Sequence, residues 1–137
     1  MPTLTGILET SLYVERLDRA KGFYRDLFEL EILVEDERMC ALAVCEGQVL
    51  LLFKSGASRD GIDTRGGVIP PHDATGDLHI AFAIPATELS RWEDRVGRLG
   101  IEIESRVGWP RGGTSIYFRD PDRHLVELAT PGLWSNY

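Results

Sequence analysis

Residues 78–84 read LHIAFAI, and residues 8–14 read LETSLYV. Both alternate large apolar residues with small or polar ones, the period of a strand with one covered face. Superimposed, Glu9 matches His79, Leu12 matches Phe82 and Val14 matches Ile84, an offset of 70 (79 − 9). The segments after the two strands match as well. After the first strand, read over residues 7–14, Ala20, Phe23, Tyr24 and Leu27 recur at helical spacing, with Asp18 as the predicted N-cap. After the second, residues 88–99 place Leu89, Trp92, Val96 and Leu99 on one stripe, and Gly100 stands where a helix-ending glycine is wanted. The helices match at 69 (92 − 23), aligning Phe23 with Trp92, Leu27 with Val96 and Leu30 with Leu99. Further on the offset is 76 (127 − 51), aligning Leu51 with Glu127, Leu52 with Leu128 and Gly56 with Gly132. A register kept through three elements marks an internal duplication.

Three β-rich runs complete each half. They lie at 31–35, 39–44 and 48–53, with a tight turn at Glu46-Gly47, and at 101–106, 114–119 and 124–129, with a turn at residues 120–123. This order predicts an α+β fold of two tandem βαβββ modules, about 4–56 and 77–132, in a single domain of residues 1–137. The modules should form a curved mixed sheet around a pocket, with the helices outside. Residues 57–76 between them are rich in Gly and Pro and read as a linker or a functional flap.

Composition narrows the function classes. A chain of 137 residues, 43% hydrophobic and 27% charged, fits one globular domain with a real core. A net charge of −7 argues against a nucleic-acid partner, which needs clustered Lys and Arg. Arg16, Arg19, Lys21 and Arg25 are interleaved with Asp18 and Asp26 and read as a solvated helix face. The longest apolar run, 49–53, is strand-sized, so no membrane span or membrane partner is expected. The first residues lack the pattern of a signal peptide, and a cytoplasmic location is expected. Cys40 and Cys45 are separated by an odd number on one predicted strand; they should face opposite ways and remain reduced, in or near the core.

The polar residues of the strands point to chemistry. Glu9 and Ser11 oppose Leu8, Leu12 and Val14; His79, Ala81 and Ala83 oppose Ile80, Phe82 and Ile84; Glu127 and Ala129 oppose Val126 and Leu128. The bulky faces should pack under the helices, while the small faces leave room for a cavity. Alone, a strand carboxylate is ordinarily solvated, and a strand histidine is ordinarily hydrogen-bonded within a core. The duplication changes this reading, because it brings Glu9, His79 and Glu127 together. A histidine and two carboxylates on rigid strands can hold one divalent metal ion and leave positions open for water or substrate.

The stretch LYVERLDRAKGFYRDLFELE (12–31) resembles the first strand and helix of the vicinal oxygen chelate superfamily. HIAFAIP (79–85) resembles the strand that opens its second half, and SIYFRDPDRHLVELATPG (115–132) resembles its closing hairpin. That superfamily includes glyoxalase I, fosfomycin-resistance thiol transferases, extradiol dioxygenases, methylmalonyl-CoA epimerase and bleomycin-resistance proteins. By position, the resemblance implies ligand sites at Glu9, Leu51, His79 and Glu127. Glu9 stands where many members carry His, and Leu51 where glyoxalase I carries Glu. Leucine cannot bind metal, so three ligands remain, Glu9, His79 and Glu127. That count fits the fosfomycin and dioxygenase branches better than glyoxalase I. Two carboxylates are hard ligands, which suits Mn, Mg, Zn or Ni at least as well as Fe and lowers the rank of extradiol chemistry. Glu29 and Arg123 stand where relatives have glycines, and positive φ there costs about 1 kcal/mol each.

The resulting expectation is a metal-dependent lyase, isomerase or group transferase acting on a small oxygen-rich substrate, with Glu9 or Glu127 moving the proton. The alternatives are a metal-free small-molecule binding protein of the bleomycin-resistance type and an Fe(II) dioxygenase. Trp109, Arg111 and Tyr117 are candidate substrate contacts, as is His72 on the flexible segment. The resemblance also implies a homodimer, in which the first strand of one copy can complete a site on the other.

Overall fold

Alternation in the first strand resolves into two faces with different surroundings. β1 (Glu9–Val14) buries Leu12 and Val14 completely, while Glu9 is exposed and Tyr13 is half-buried. The computed structural model describes residues 1–137, which divide into two compact units, residues 1–75 and 76–137. In the first unit β1 leads into α1 (Leu17–Phe28), followed by β2 (Glu31–Glu35), β3 (Met39–Cys45) and β4 (Gln48–Lys54). The sheet order is β1-β4-β3-β2, with β1 parallel to β4 and the other pairs antiparallel. Leu12 lies opposite Leu52, and Cys40 and Leu42 face Leu52 and Leu50 across β3 and β4. All five are buried, and α1 packs against β3 and β4 with Ala20, Tyr24 and Leu27 fully covered. The other face carries Glu9, Ser11 and Tyr13 opposite Val49, Leu51 and Phe53.

The second unit repeats the plan. β7 (His79–Ala83) is followed by a 3-10 turn, α2 (Leu89–Arg98), β8 (Ser105–Gly108), β9 (Thr114–Arg119) and β10 (Leu125–Ala129). Its sheet order is β7-β10-β9-β8, with β7 parallel to β10. The duplication extends to the register. Glu9 opposite Val49 becomes His79 opposite Leu125, at offsets of 70 (79 − 9) and 76 (125 − 49). Ala41 opposite Leu51 becomes Tyr117 opposite Glu127, and Met39 opposite Phe53 becomes Ser115 opposite Ala129, all at 76 (117 − 41, 115 − 39). The α+β class and the two βαβββ modules are as the sequence predicts, with the strands divided between two four-stranded sheets. No helix is long and apolar enough to cross a membrane.

Several details differ from the sequence reading. α1 begins after Arg16, which is extended and makes no side-chain cap; Asp18 lies within the first turn, with its carboxylate 2.7 Å from the Arg16 guanidinium. Residues 57–75 belong to the first unit and hold a small hairpin, β5 (Ile62–Thr64) and β6 (Gly67–Ile69). Residues 101–104 are not a strand, because Ile101 donates its N–H back to Val96 at the end of α2 and pairing with β9 starts only at Glu104. Of the predicted α2 stripe only Val96 is fully buried, and Leu99 is exposed. Leu8 is also exposed, one residue before β1 begins. Cys45 is exposed where the β3–β4 register shifts, whereas Cys40 is in the core, and both are free thiols. Burial pushes the Cys40 thiol above its ordinary range.

Positive φ does occur at Glu29 (57°), which closes α1, and at Arg123 (69°) in the turn before β10. A different constraint acts at Gly132, where φ is 110° and a Cβ would sit 2.5 Å from the Gly113 nitrogen and 2.9 Å from the Arg111 carbonyl oxygen. A Cβ on Gly113 would in turn lie 2.8 Å from the Gly132 carbonyl carbon. The turn before β9 and the segment after β10 therefore touch backbone to backbone, which only two glycines permit. Beyond this contact the tail folds on itself, with Gly132 N–H donating to the Tyr137 carbonyl at 2.9 Å and the Tyr137 hydroxyl donating to the Ala129 carbonyl at 2.7 Å.

Candidate metal centre

The closing turn sets the register that positions this site. Asp120 Oδ1 accepts the N–H groups of Asp122 and His124, each at 2.9 Å, a tight turn built on one carboxylate. His124 is buried, and its Nδ1 accepts the Leu78 N–H at 2.9 Å. Leu125 N–H donates to the Leu78 carbonyl at 2.8 Å. These bonds join the start of β7 to the start of β10. They place His79 opposite Leu125 and Glu127 opposite Ala81, so that both polar side chains emerge on the same face.

On that face His79 Nε2 lies 3.0 Å from Glu127 Oε2. Glu127 is only 4% exposed, and its other oxygen accepts the Ser115 hydroxyl at 2.5 Å and the Tyr117 hydroxyl at 3.0 Å. Ser115 in turn accepts the Trp109 indole N–H at 2.8 Å, so its one hydroxyl serves as both donor and acceptor. A buried carboxylate without partners would be costly; this one has three. Burial, and then the hydrogen bond to Glu127, push the Tyr117 phenol above its ordinary range. His79 is half-exposed, so the pair opens to solvent on the imidazole side.

The donor chemistry fits a divalent ion. Two neighbouring ligands of an octahedral ion at about 2.1 Å stand about 3.0 Å apart, the separation of His79 Nε2 and Glu127 Oε2, so the two side chains could hold one ion together. Ser115 and Tyr117 are the outer partners that keep the carboxylate aimed. The chain gathers no group of three or more His, Cys, Asp or Glu side chains, so His79 and Glu127 form a nucleus of two.

The other predicted residues are dispersed over both units. Trp109 and Tyr117 belong to the Glu127 network, and Arg111 is exposed in the turn just after Trp109. Glu9 is exposed on β1 of the first unit, on the face it shares with Tyr13. His72, read as part of a flexible segment, is packed within the first unit: the Tyr13 hydroxyl is hydrogen-bonded to Nδ1 at 2.6 Å, the Phe53 ring meets the imidazole edge-on at 4.6 Å, and the Ser58 hydroxyl donates to the His72 carbonyl at 2.6 Å. Ser115 is the residue sequence reasoning missed. It alternates with Tyr117 on β9 and so was bound to share the face of Glu127.

Burial, reinforced by the charge of Asp73, raises the Tyr13 phenol. A group whose pKa is higher in the folded than in the unfolded chain contributes stability that is complete below its unfolded value, about 10 for tyrosine. That stability is lost as pH rises through the folded value. The Tyr13 Cζ resonance is therefore expected to titrate above a model tyrosine. A normal Tyr13 titration curve would contradict this.

Comparison with known proteins identifies the family and the fold. A metallothiol transferase FosB of Staphylococcus saprophyticus is 30% identical over 129 residues, covering 93% of this chain and 78% of the relative. The crystal structure of a lactoylglutathione lyase from Agrobacterium tumefaciens shares 35% identity, with a TM-score of 0.88 over 98% of this chain and 99% of that one. A FosX variant from Listeria monocytogenes, solved with Mn(II) and 1S,2S-dihydroxypropylphosphonic acid, has the same fold at 24% identity, with a TM-score of 0.65 over 92% and 90% of the two chains. Residues 6–128 match the family model of the Glyoxalase/Bleomycin resistance protein/Dioxygenase superfamily, and the chain belongs to that superfamily.

Proposed function

We propose that this protein is a metal-dependent lyase or group transferase acting on a small oxygen-rich substrate, with a thiol compound as co-substrate. The observation that carries this reading is the His79–Glu127 contact, in which a buried carboxylate is held by Ser115 and Tyr117 and faces an imidazole at 3.0 Å. The thiol is suggested by the relatives that match nearly the whole chain, one named a metallothiol transferase and the other a lactoylglutathione lyase.

His79 and Glu127 would hold the ion, with Glu9 as the proposed third donor. One imidazole with carboxylates suits Mn, Mg, Zn, Ni or Fe. When bound, such an ion polarises substrate oxygens and stabilises negative charge on them. Glu127, with both oxygens engaged by three donors, serves better as a fixed ligand than as a base. Glu9, exposed on its strand, is the better acceptor for a proton from the thiol or the substrate carbon. A four-ligand site of the glyoxalase I kind is not adopted, because Leu51 occupies the position equivalent to Glu127 and offers no donor.

The test is elemental analysis of protein purified without added metal, followed by thiol-consumption assays with small epoxides and α-keto aldehydes in the presence of Mn²⁺. About one equivalent of bound divalent metal and metal-dependent thiol loss support the reading. A folded protein that takes up no metal favours the metal-free binding protein, and oxygen uptake with catechols would favour the dioxygenase.

A further inference from the structure

We propose that the cavity walled by Ala81, Ala83, Ala129, Leu133, Trp134 and Tyr137 receives an apolar arm of the substrate, a single ring or a short branched alkyl group. The inference rests on the functional reading above for where the arm is attached, and on the second unit alone for the cavity.

The cavity has a volume of about 170 Å³. A protein cavity of roughly 150 Å³ is enough for a benzene molecule. Its floor consists of small residues on the face of the metal-ligating pair. Ala81 lies directly opposite Glu127 in the β7–β10 register, and Ala83 lies opposite Ala129. A group bound between His79 and Glu127 therefore meets the cavity one residue pair further along the strands. The far wall is the tail, held in place by the backbone contact of Gly113 with Gly132.

The chemistry of the lining selects an apolar occupant. Ala81, Ala83, Ala129 and Leu133 offer no polar side-chain atom. The aromatic wall brings two polar groups, the indole N–H of the exposed Trp134 and the Tyr137 hydroxyl, and the latter donates to the Ala129 carbonyl at 2.7 Å. Trp134 is 69% exposed, a large ring in water beside an open cavity. Filling the cavity with hydrocarbon covers the carbon surface of that ring and of the alanines, whereas a charged arm would lose its hydration where the lining holds no charged side chain.

The experiment has two arms. In metal-free protein, toluene is titrated while the amide resonances of Ala81 and Ala83 and the Trp134 indole are monitored. Saturable shifts confined to these groups, and abolished in folded Ala83→Leu, are expected. Absence of saturable shifts, or the same shifts in Ala83→Leu, overturns the proposal. So does a dimer that Trp134→Ala converts to monomer while toluene fails to bind, since a second copy would then cover the cavity. In Mn²⁺-loaded protein, acetohydroxamate and benzohydroxamate are compared by calorimetry. The phenyl compound should bind about tenfold tighter, with the ratio near one in Ala83→Leu. Equal binding of both overturns the cavity assignment and leaves the metal reading standing. Binding of toluene with neither hydroxamate sinks the metal reading and leaves the cavity standing.

Discussion

Glu127→Gln and His79→Ala each lower the affinity for Mn²⁺ by on the order of 100-fold or more, while the protein stays folded. Loss of an outer partner of a metal ligand costs roughly 10- to 100-fold, and loss of the ligand itself costs more. Glutamine is nearly isosteric with Glu127 and its carbonyl still accepts the Ser115 and Tyr117 hydroxyls, so the buried network keeps two of its three contacts. What it loses is the anionic oxygen that faces His79 at 3.0 Å. Ser115→Ala is expected to fall between, at roughly 10- to 100-fold, because it removes only the bond that aims the carboxylate. Calorimetric titration with Mn²⁺ measures all three. Native affinity in Glu127→Gln would remove the metal centre from this face.

Phe118→Ala lowers the stability of the second unit by about 3–5 kcal/mol. Phe118 is fully buried on β9 opposite Val126, on the other side of the sheet from Tyr117 and Glu127. Its removal takes away the transfer energy of the ring and leaves a hole among rigid neighbours, which include the equally buried Ile116, Val126 and Leu128. Since a domain's total stability is about 5–15 kcal/mol, the variant should lie close to its unfolding midpoint at moderate temperature. Urea unfolding of variant and parent gives the difference. A loss under about 1 kcal/mol, the usual cost of an ordinary substitution, would mean that the helix-side face is not the core of this unit.

The duplication was legible because it constrains many residues at once. The offsets of 70 and 76 read from residue pairs reappear as hydrogen-bond register, since strand pairing depends on residue count as much as on residue type. What failed depended on information that alternation does not carry. Ile101 and Ile103 alternate with glutamates, but alternation reports burial, and these residues remain half-buried without a strand partner. Asp18 has the chemistry of a cap, yet Arg16 two residues earlier claims its carboxylate. The β5–β6 hairpin is six residues among glycines and prolines, too short for any period to show. Of the site, His79 and Glu127 could be named because ionisable residues on a small-residue face are conspicuous. Ser115 could not, since a serine announces a role only once its partner is known.

The register equivalence also bears on how this fold can be altered. Ser115, Tyr117 and Glu127 occupy the positions that Met39, Ala41 and Leu51 occupy in the first unit. The ligand is absent there together with both hydroxyls that would steady it. Leu51→Glu alone would thus introduce a carboxylate between Ala41 and Ser11, without a β3 counterpart of the two hydroxyls that Glu127 has on β9. Rebuilding a supported carboxylate on the first sheet calls for the whole cassette, Met39→Ser, Ala41→Tyr and Leu51→Glu together. The supported ligand of the second unit is thus a set of three residues on two adjacent strands, and the first unit lacks all three.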